Sequence, residues 1–529
     1  MGTLNADQFA SIQTLGDIAR LHAHVRPESV ALKFEGRTTT YRILNARTNR
    51  VARALHADKV LKDDRIGYLA KNSDYFFEIL LGSAKMGAVT LPIGWRLAPA
   101  EIAYMLENGD VAILFVGPEF ADLARQAVAI AGQPVQIVEL EDETTNGYVA
   151  WRDRQSDDDP EITLRPSDTT LQLYTSGTTG RPKGVMLTHH NLLDMWIRAG
   201  QSGIDCFDWA EDDACLVAMP LAHIGGTGWG VVGLLNGAAL VILRDFDPAA
   251  ALALIEPERI TKLFMVPAAL NFMIQMAGAM NINYSQLKLI FYGASPIPID
   301  LLRQCMEVFG CRFCQQYGMT EACGTIVYLP PEDHDSQGNR RMKSAGRAMP
   351  GIEIKIVDTQ GNDLPAETVG EIATRSTSNM AGYWKNEAAT RETLDANGWL
   401  RTGDAGYLDE DGYLYIHDRV KDMIISGAEN IYPAEVENAI FGHPAVVDVA
   451  VIGVPDERWG EAVKAVVVLK QGAAASEAEI IGFARDRIAA FKAPKSVDFA
   501  ESLPRNASGK VLKRSLKEPY WVGRDRNVN

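Results

Sequence analysis

The chain has 529 residues, 47% of them hydrophobic and 23% charged; this is an ordinary globular composition at a length one core does not fill, so two or more domains are expected and extensive disorder is argued against. Its 52 basic and 68 acidic side chains leave a formal net charge of −16, which disfavours a nucleic-acid partner or an anionic membrane surface while leaving room for a local basic pocket. No run approaches ~20 uninterrupted apolar residues, so no membrane span is expected.

The start, MGTLNADQFA, has neither the basic-then-apolar pattern of a secretory signal nor a Ser or Thr at position 6 for myristoylation. Six cysteines in this length do not make a disulfide framework, and the expected compartment is the reducing cytoplasm. Cys311 and Cys314 have CxxC spacing, but no second pair or nearby His completes a zinc site.

From about residue 64 to 320, short apolar β-branched runs alternate with helical patterns. DRIGYLA precedes the periodic SDYFFEILLGSAKMGA; VTLPI precedes a helix from Pro99, and VAILFVG follows. The rhythm resumes with TLQLYTS, a helix from His190, then CLVAMP, AALVIL, KLFMVP and LKLIFYG. Such alternation predicts an α/β fold of βαβ units, with parallel sheets covered by helices. The acidic QSDDDPE near 155–161 divides it into two blocks, read as two related α/β layers. After residue 345, IEIKIVD, GEIATRS and GYLYIHD read as strands between Gly, Asn, Asp and Pro turns, a small β-rich subdomain over about 345–420. From about Lys421 a compact α+β unit is expected, with helices near 433–441 and 477–491 and strands near 446–453 and 463–469.

The densest chemical signal is YTSGTTGRPKGV, residues 174–185, placed directly after the apolar strand TLQLY. Its Ser, Thr and Gly residues would leave the sheet at the carboxyl end, where α/β proteins bind ligands. Gly177, Gly180 and Gly184 let backbone N–H groups approach an anion; Thr175, Ser176, Thr178 and Thr179 add hydroxyl donors and Lys183 a charge. The spacing is not the Walker pattern, because Pro182 stands where Gly-Lys would be required. A flexible polar loop is the plain alternative, and this composition after a buried strand argues against it.

This segment resembles the phosphate loop of the adenylate-forming superfamily, which includes acyl-CoA synthetases, luciferases and peptide-synthetase adenylation domains. MPLAHIGG (219–226), YGASP (292–296), QQYGMTE (315–321), RTGD (401–404), DRVKDMIISGAENIYPAEVE (418–437) and PRNASGKVLK (504–513) follow in that family's order. The resemblance implies a large N-terminal domain, 1–420, of two helix-covered sheets plus the β-rich subdomain, and a small mobile C-terminal domain, 421–529. It also implies ATP, Mg²⁺ and coenzyme A as the reactants and cofactor, a small carboxylic acid as the substrate, and no nucleic acid; a homodimer is compatible with it.

By that resemblance Gly293, Ala294 and Ser295 line the adenine and acyl pockets, and Gln315, Tyr317, Gly318, Met319 and Thr320 surround AMP, with Tyr317 against adenine and Thr320 near the α-phosphate. Glu321 would sit near Mg²⁺, a hard cation that shares oxygen ligands with substrate phosphates. Asp404, ending a TGD turn, and Arg419 would hold the ribose. Lys510, in a Gly/Ser/Asn-rich segment, would stabilise charge as the carboxylate attacks the α-phosphate. Lys421 matches a hinge about which the C-terminal domain rotates, bringing the Gly427 loop in as Lys510 moves out. Trp459, Phe491 and Lys495 match coenzyme A contacts of some aryl-CoA ligases, although Ala493 stands where those relatives are basic.

His223 matches an aromatic gate of the acyl pocket, preceded here by Ala222 where many relatives carry Phe; a satisfied core histidine is the plain alternative. Gly225, Gly226 and Gly228 would leave room beside it, with Gly318 also on the acyl side. MPLAHIGG lacks the aspartate that pairs with an amino acid's ammonium. A medium- or long-chain fatty acid is the first reading of the substrate and an aryl or cinnamate-type acid the second. The uninterrupted run from RTGD to DMIIS favours coenzyme A over a carrier protein as acceptor.

Overall fold

The computed structural model describes residues 5–160, 162–175, 181–419, 422–426, 429–456, 458–505 and 511–522, without the side chains of 418, 419, 429 and 430. Two large sheets dominate. One has seven strands in the order Gly382–Tyr383, Lys183–Thr188, Thr169–Thr175, Val89–Pro92, Arg65–Leu69, Ile113–Val116 and Gln136–Glu139. The other has nine, with Leu289–Gly293, Lys262–Met265, Ala214–Val217 and Ala239–Ile242 in parallel at its centre.

The acidic stretch does not separate these sheets. Val30–Phe34, far upstream of it, lies parallel to Ala239–Ile242 in the nine-stranded sheet. Thr169–Thr175, downstream of it, pairs with Val89–Pro92 in the seven-stranded sheet. The chain thus exchanges strands between the layers, which an alternation of strand and helix patterns does not encode.

Between the sheets runs the helix Asp74–Met86, with all thirteen residues buried. The Ser73 hydroxyl caps it by accepting from the Tyr75 N–H, and Gly87 ends it in the left-handed region (φ +80°) that glycine adopts without strain. Phe76 meets Tyr68 of the seven-stranded sheet edge-on at 5.0 Å. Phe77 fills the place where a side chain at Gly230 would project, from the helix Ile224–Leu235. One apolar core therefore runs continuously through both layers.

The segment after 345 forms an antiparallel sheet of Glu353–Val357, Gly370–Arg375, Trp399–Leu408 and Leu414–Arg419. RTGD is not a turn at the end of a strand: it lies inside Trp399–Leu408, with Gly403 supplying a left-handed residue (φ +72°).

The C-terminal unit is built on Val446–Asp456 and Gly460–Leu469. Val449 and Val451 join a cluster with Val436, Ile440 and Ile480, while Ala450, Ile452 and Val454 pack the opposite face with Leu503 and Leu516. Burial of both faces explains the unbroken apolar run VAVIGV. The expected helix over 477–491 ends at Arg485, and the chain turns back to lay Ser496–Phe499 parallel to Gly460–Leu469. No described helix is long and apolar enough to cross a membrane.

Candidate active site

Thr169–Thr175 leaves the seven-stranded sheet at its carboxyl end, and Lys183–Thr188 returns antiparallel beside it. The phosphate-loop segment is thus the connection of a hairpin; Ser176, Gly177, Thr178, Thr179 and Gly180 lie outside the described residues. Gly184 belongs to the return strand, not the loop. A Cβ there would stand 2.6 Å from Gln172 Nε2, so this glycine serves packing rather than an anion. Gly382–Tyr383 closes the sheet edge against Val185 and Met186, and the Trp384 N–H donates to the Gly184 carbonyl at 2.7 Å.

Glu321 comes from the other sheet. It follows the strand Arg312–Tyr317 in a short 3₁₀ turn, Thr320–Ala322, is 7% exposed, and is tied through its carbonyl to the Met380 N–H at 2.8 Å. Its Oε1 accepts from the Thr175 hydroxyl at 3.1 Å and from the Tyr383 hydroxyl at 3.0 Å. The Lys183 ammonium lies 4.9 Å from the centroid of the Tyr383 ring. Two residues, Thr175 of the phosphate hairpin and Tyr383 of its edge strand, therefore meet one buried carboxylate across the junction of the two sheets, and Lys183 lies against the ring of the second.

The backbone around this cluster is close-packed. A Cβ at Gly293 would lie 2.0 Å from the Gln316 carbonyl oxygen, and one at Gly318 would lie 1.9 Å from that of Gly324. Ala294 adopts φ +67°, a left-handed conformation in a residue that bears a Cβ, and is exposed beside half-buried Ser295. Gln315 accepts from the Tyr292 hydroxyl at 3.2 Å, and Met319 and Thr320 are half-buried.

Asp404 stands opposite Arg419 in the strand register, and its Oδ2 accepts from the Tyr317 hydroxyl at 2.7 Å. Tyr317 thus bonds the carboxylate expected to meet the ribose. The side chain of Arg419 lies outside the described residues, as do Lys421, Gly427 and Lys510.

His223 stands at the start of the helix Ile224–Leu235, its Nε2 buried without a hydrogen-bond partner among the described residues. Burial pushes its pKa down to about 4, and the Arg96 charge acts in the same direction, so the imidazole is neutral at pH 7. Gly225 and Gly226 do not leave the open space expected of them: a Cβ at Gly226 would lie 2.3 Å from the Pro220 carbonyl oxygen and one at Gly225 3.1 Å from the Phe264 ring, whereas one at Gly228 would meet Ile224 at an ordinary 3.5 Å. The smallness of Gly225 and Gly226 lets the helix start fit tightly against its surroundings.

Trp459, Phe491 and Lys495 are exposed on the C-terminal unit, while Ala493 is buried. None of the first three bonds to the Glu321 or Asp404 groups among the described residues. Cys314 is fully buried, and among the described residues no cluster of three or more His, Cys, Asp or Glu could hold a metal by itself. A hard cation would fit at Glu321 only by taking its remaining ligands from nucleotide phosphates, and the carboxylate and hydroxyl oxygens there suit such a cation. Tyr383 is not among the residues expected at the site from the sequence; its one signal there is the triplet Gly382-Tyr383-Trp384 ahead of the helix Glu387–Thr393.

A two-sheet α/β body that carries a phosphate hairpin against a carboxylate, followed by a small α+β unit, defines a class of nucleotide-binding enzymes. The model of the AMP-binding enzyme family matches residues 20–384, and that of the AMP-binding enzyme C-terminal domain matches 435–510. The chain belongs to this family, the adenylate-forming enzymes, and is a ligase. It is 40% identical to the fatty acid–[acyl-carrier-protein] ligase ScoC of Streptomyces coeruleorubidus, over 98% of both chains. With the feruloyl-CoA synthase of an Amycolatopsis species it shares 36% identity, over 96% of this chain and 99% of that one. The ATP-bound MatB structure from Rhodopseudomonas palustris superposes with a TM-score of 0.86 at 30% identity, covering 96% of this chain and 99% of that one.

Proposed function

We propose that this ligase joins a medium- or long-chain fatty acid to coenzyme A in an ATP-dependent, AMP-forming reaction through an acyl-adenylate. The observation that carries the reading is the convergence of Thr175 and Tyr383 on Glu321, with Lys183 alongside. This supports a site where nucleotide phosphates approach a carboxylate able to share a divalent cation with them.

In the first step a carboxylate oxygen of the acid attacks the α-phosphorus, and the bond to the bridging oxygen of pyrophosphate breaks. Lys183 and the hairpin connection hold the phosphates, Asp404 with Arg419 holds the ribose, and Lys510 offsets the charge that develops between two anions. Mg²⁺, held by Glu321, would neutralise phosphate charge when bound. In the second step the thiol sulfur attacks the acyl carbonyl carbon and AMP leaves with the bridging oxygen. This step would use a rotation of residues 421–529, as one domain, about Lys421, which carries Lys510 away and brings in the Gly427 loop, with Trp459, Phe491 and Lys495 contacting coenzyme A.

The neutral His223 supports an acyl path without a charged anchor, which suits an alkyl chain. A second acceptor, a phosphopantetheinylated carrier protein, is favoured by one observation: the 40%-identical relative is a carrier-protein ligase. An aryl acid is favoured by the feruloyl-CoA synthase likeness. Pyrophosphate release across a panel of short to long fatty acids, benzoates and cinnamates, followed by thioester formation with coenzyme A or a holo carrier protein, tests the reading. Release is expected with medium and long alkyl acids, and thioester with coenzyme A. Preference for cinnamates, or thioester with the carrier protein alone, overturns the corresponding part.

A further inference from the structure

Glu321 and the phosphate hairpin stand on different sheets, and something must fix their separation if a cation is to be shared between the carboxylate and the phosphates. Tyr383 is built for this. Its backbone rides on the strand that carries Lys183, pairing with Val185, and its N–H is fixed by the Thr390 Oγ1 at 2.9 Å. Its side chain is 7% exposed and reaches across to the other sheet, where its hydroxyl donates to Glu321 Oε1 at 3.0 Å. The face of the same ring lies under the Lys183 ammonium, 4.9 Å from the centroid, within the range of a cation–π contact. Thr175 donates to the same Oε1, so the two hydroxyls converge on one oxygen, and among the described residues none bonds Oε2.

We propose that Tyr383 is a positioning residue for adenylate formation: its hydroxyl holds the Glu321 carboxylate by Oε1, leaving Oε2 for the divalent cation, and its ring seats the Lys183 cation. The inference rests on the reading of Glu321 as the metal carboxylate, and the test separates the two. Mn²⁺, a paramagnetic stand-in for Mg²⁺, is titrated into the full-length protein with a non-hydrolysable ATP analogue, and bound metal is read by electron paramagnetic resonance.

Tyr383→Phe keeps the ring and loses one charge-assisted hydrogen bond, so Mn²⁺ affinity in the ternary complex should fall about tenfold. Its melting temperature and its affinity for the metal-free analogue should stay near those of the parent. Tyr383→Leu also removes the ring beside Lys183 and should weaken the metal-free analogue as well. Glu321→Gln should lose Mn²⁺ affinity at least as far as Tyr383→Phe. Parental Mn²⁺ affinity in Tyr383→Phe, with a loss in Glu321→Gln, overturns the role of Tyr383 alone. Parental affinity in Glu321→Gln overturns the metal assignment and this inference with it.

Discussion

At the scale of single residues, Lys85 is the least expected group in the molecule. It is fully buried on the helix Asp74–Met86, and its Nζ donates to Asn45 Oδ1 and Asn49 Oδ1, each at 2.6 Å. Burial, with the Arg20 charge next, pushes its pKa down to about 7. A neutral amine has two N–H donors, and two amide oxygens are what it meets. Between about pH 7 and the ordinary lysine value of 10.5, the unfolded chain holds a proton that the native one has released. Stability therefore rises with pH through that window, by up to about 1.4 kcal/mol per unit from this group. Lys85→Met fills the space but leaves both amide oxygens without a donor. The expected outcome is a variant less stable than the parent at pH 9, with the gap narrowing towards pH 7 as the parent begins to bury charge. Urea midpoints at the two pH values check this, and a gap independent of pH would mean that the lysine stays charged throughout.

At the scale of elements, three helices are locked together by one carboxylate. Glu78, on Asp74–Met86, is fully buried; Arg47, on Tyr41–Ala57, lies 2.9 Å from its Oε1, and Arg152, on Tyr148–Asp153, lies 2.6 Å from its Oε2. The Tyr148 hydroxyl donates to the same Oε2 at 3.0 Å. Removing one member of a buried pair leaves an uncompensated charge, so Glu78→Leu should cost about 3–5 kcal/mol. Glu78→Leu with Arg152→Leu should recover part of that loss, and urea unfolding of both variants decides it; no recovery would mean that Arg152 is satisfied without Glu78. The sequence pattern shows these helices well, since the apolar periodicity of SDYFFEILLGSAKMGA marks Asp74–Met86 nearly to the residue. It does not show that Glu78 and Lys85, whose types usually mark a solvated face, are buried. The candidate site divides in the same way. Thr175, Lys183, Glu321 and Asp404 stand out because each lies in a compact run of chemically unusual residues. The contacts Thr175–Glu321, Tyr383–Glu321 and Tyr317–Asp404 join positions 146, 62 and 87 residues apart, and such contacts are made by strand order, which local pattern does not carry. Tyr383 sits in a two-residue edge strand with no periodicity to read, and it becomes visible only once Glu321 is placed against it.

At the scale of the whole molecule, four histidines make the fold sensitive to acid. His22, His189, His223 and His334 are each pushed down to about 4, first by burial. They sit in different parts of the N-terminal body. His22 meets the Leu235 carbonyl at 3.1 Å, His189 Nδ1 accepts from the Leu15 N–H at 3.2 Å, and His334 lies between the Pro330 carbonyl and the Tyr292 hydroxyl. Each is neutral when folded, whereas the unfolded chain takes up a proton near pH 6.5. Stability from these groups is present above about pH 6.5 and is lost as pH falls towards 4, by up to about 1.4 kcal/mol per unit for each. Together that is up to about 5.6 kcal/mol per pH unit, against a total stability of about 5–15 kcal/mol for an ordinary protein. Asp168 and Asp213, whose pKa values are lowered, add their own loss only at lower pH, near and below the carboxylate range. The melting temperature should therefore begin to fall below about pH 6.5 and collapse before the carboxylates titrate. Replacing His189 by Gln, which can still accept from the Leu15 N–H, should flatten that fall by about one quarter, one of four equal contributions. Melting curves from pH 7.5 to 4.5 check both expectations, and a melting temperature constant to pH 4.5 would show that these four imidazoles carry their protons inside the fold.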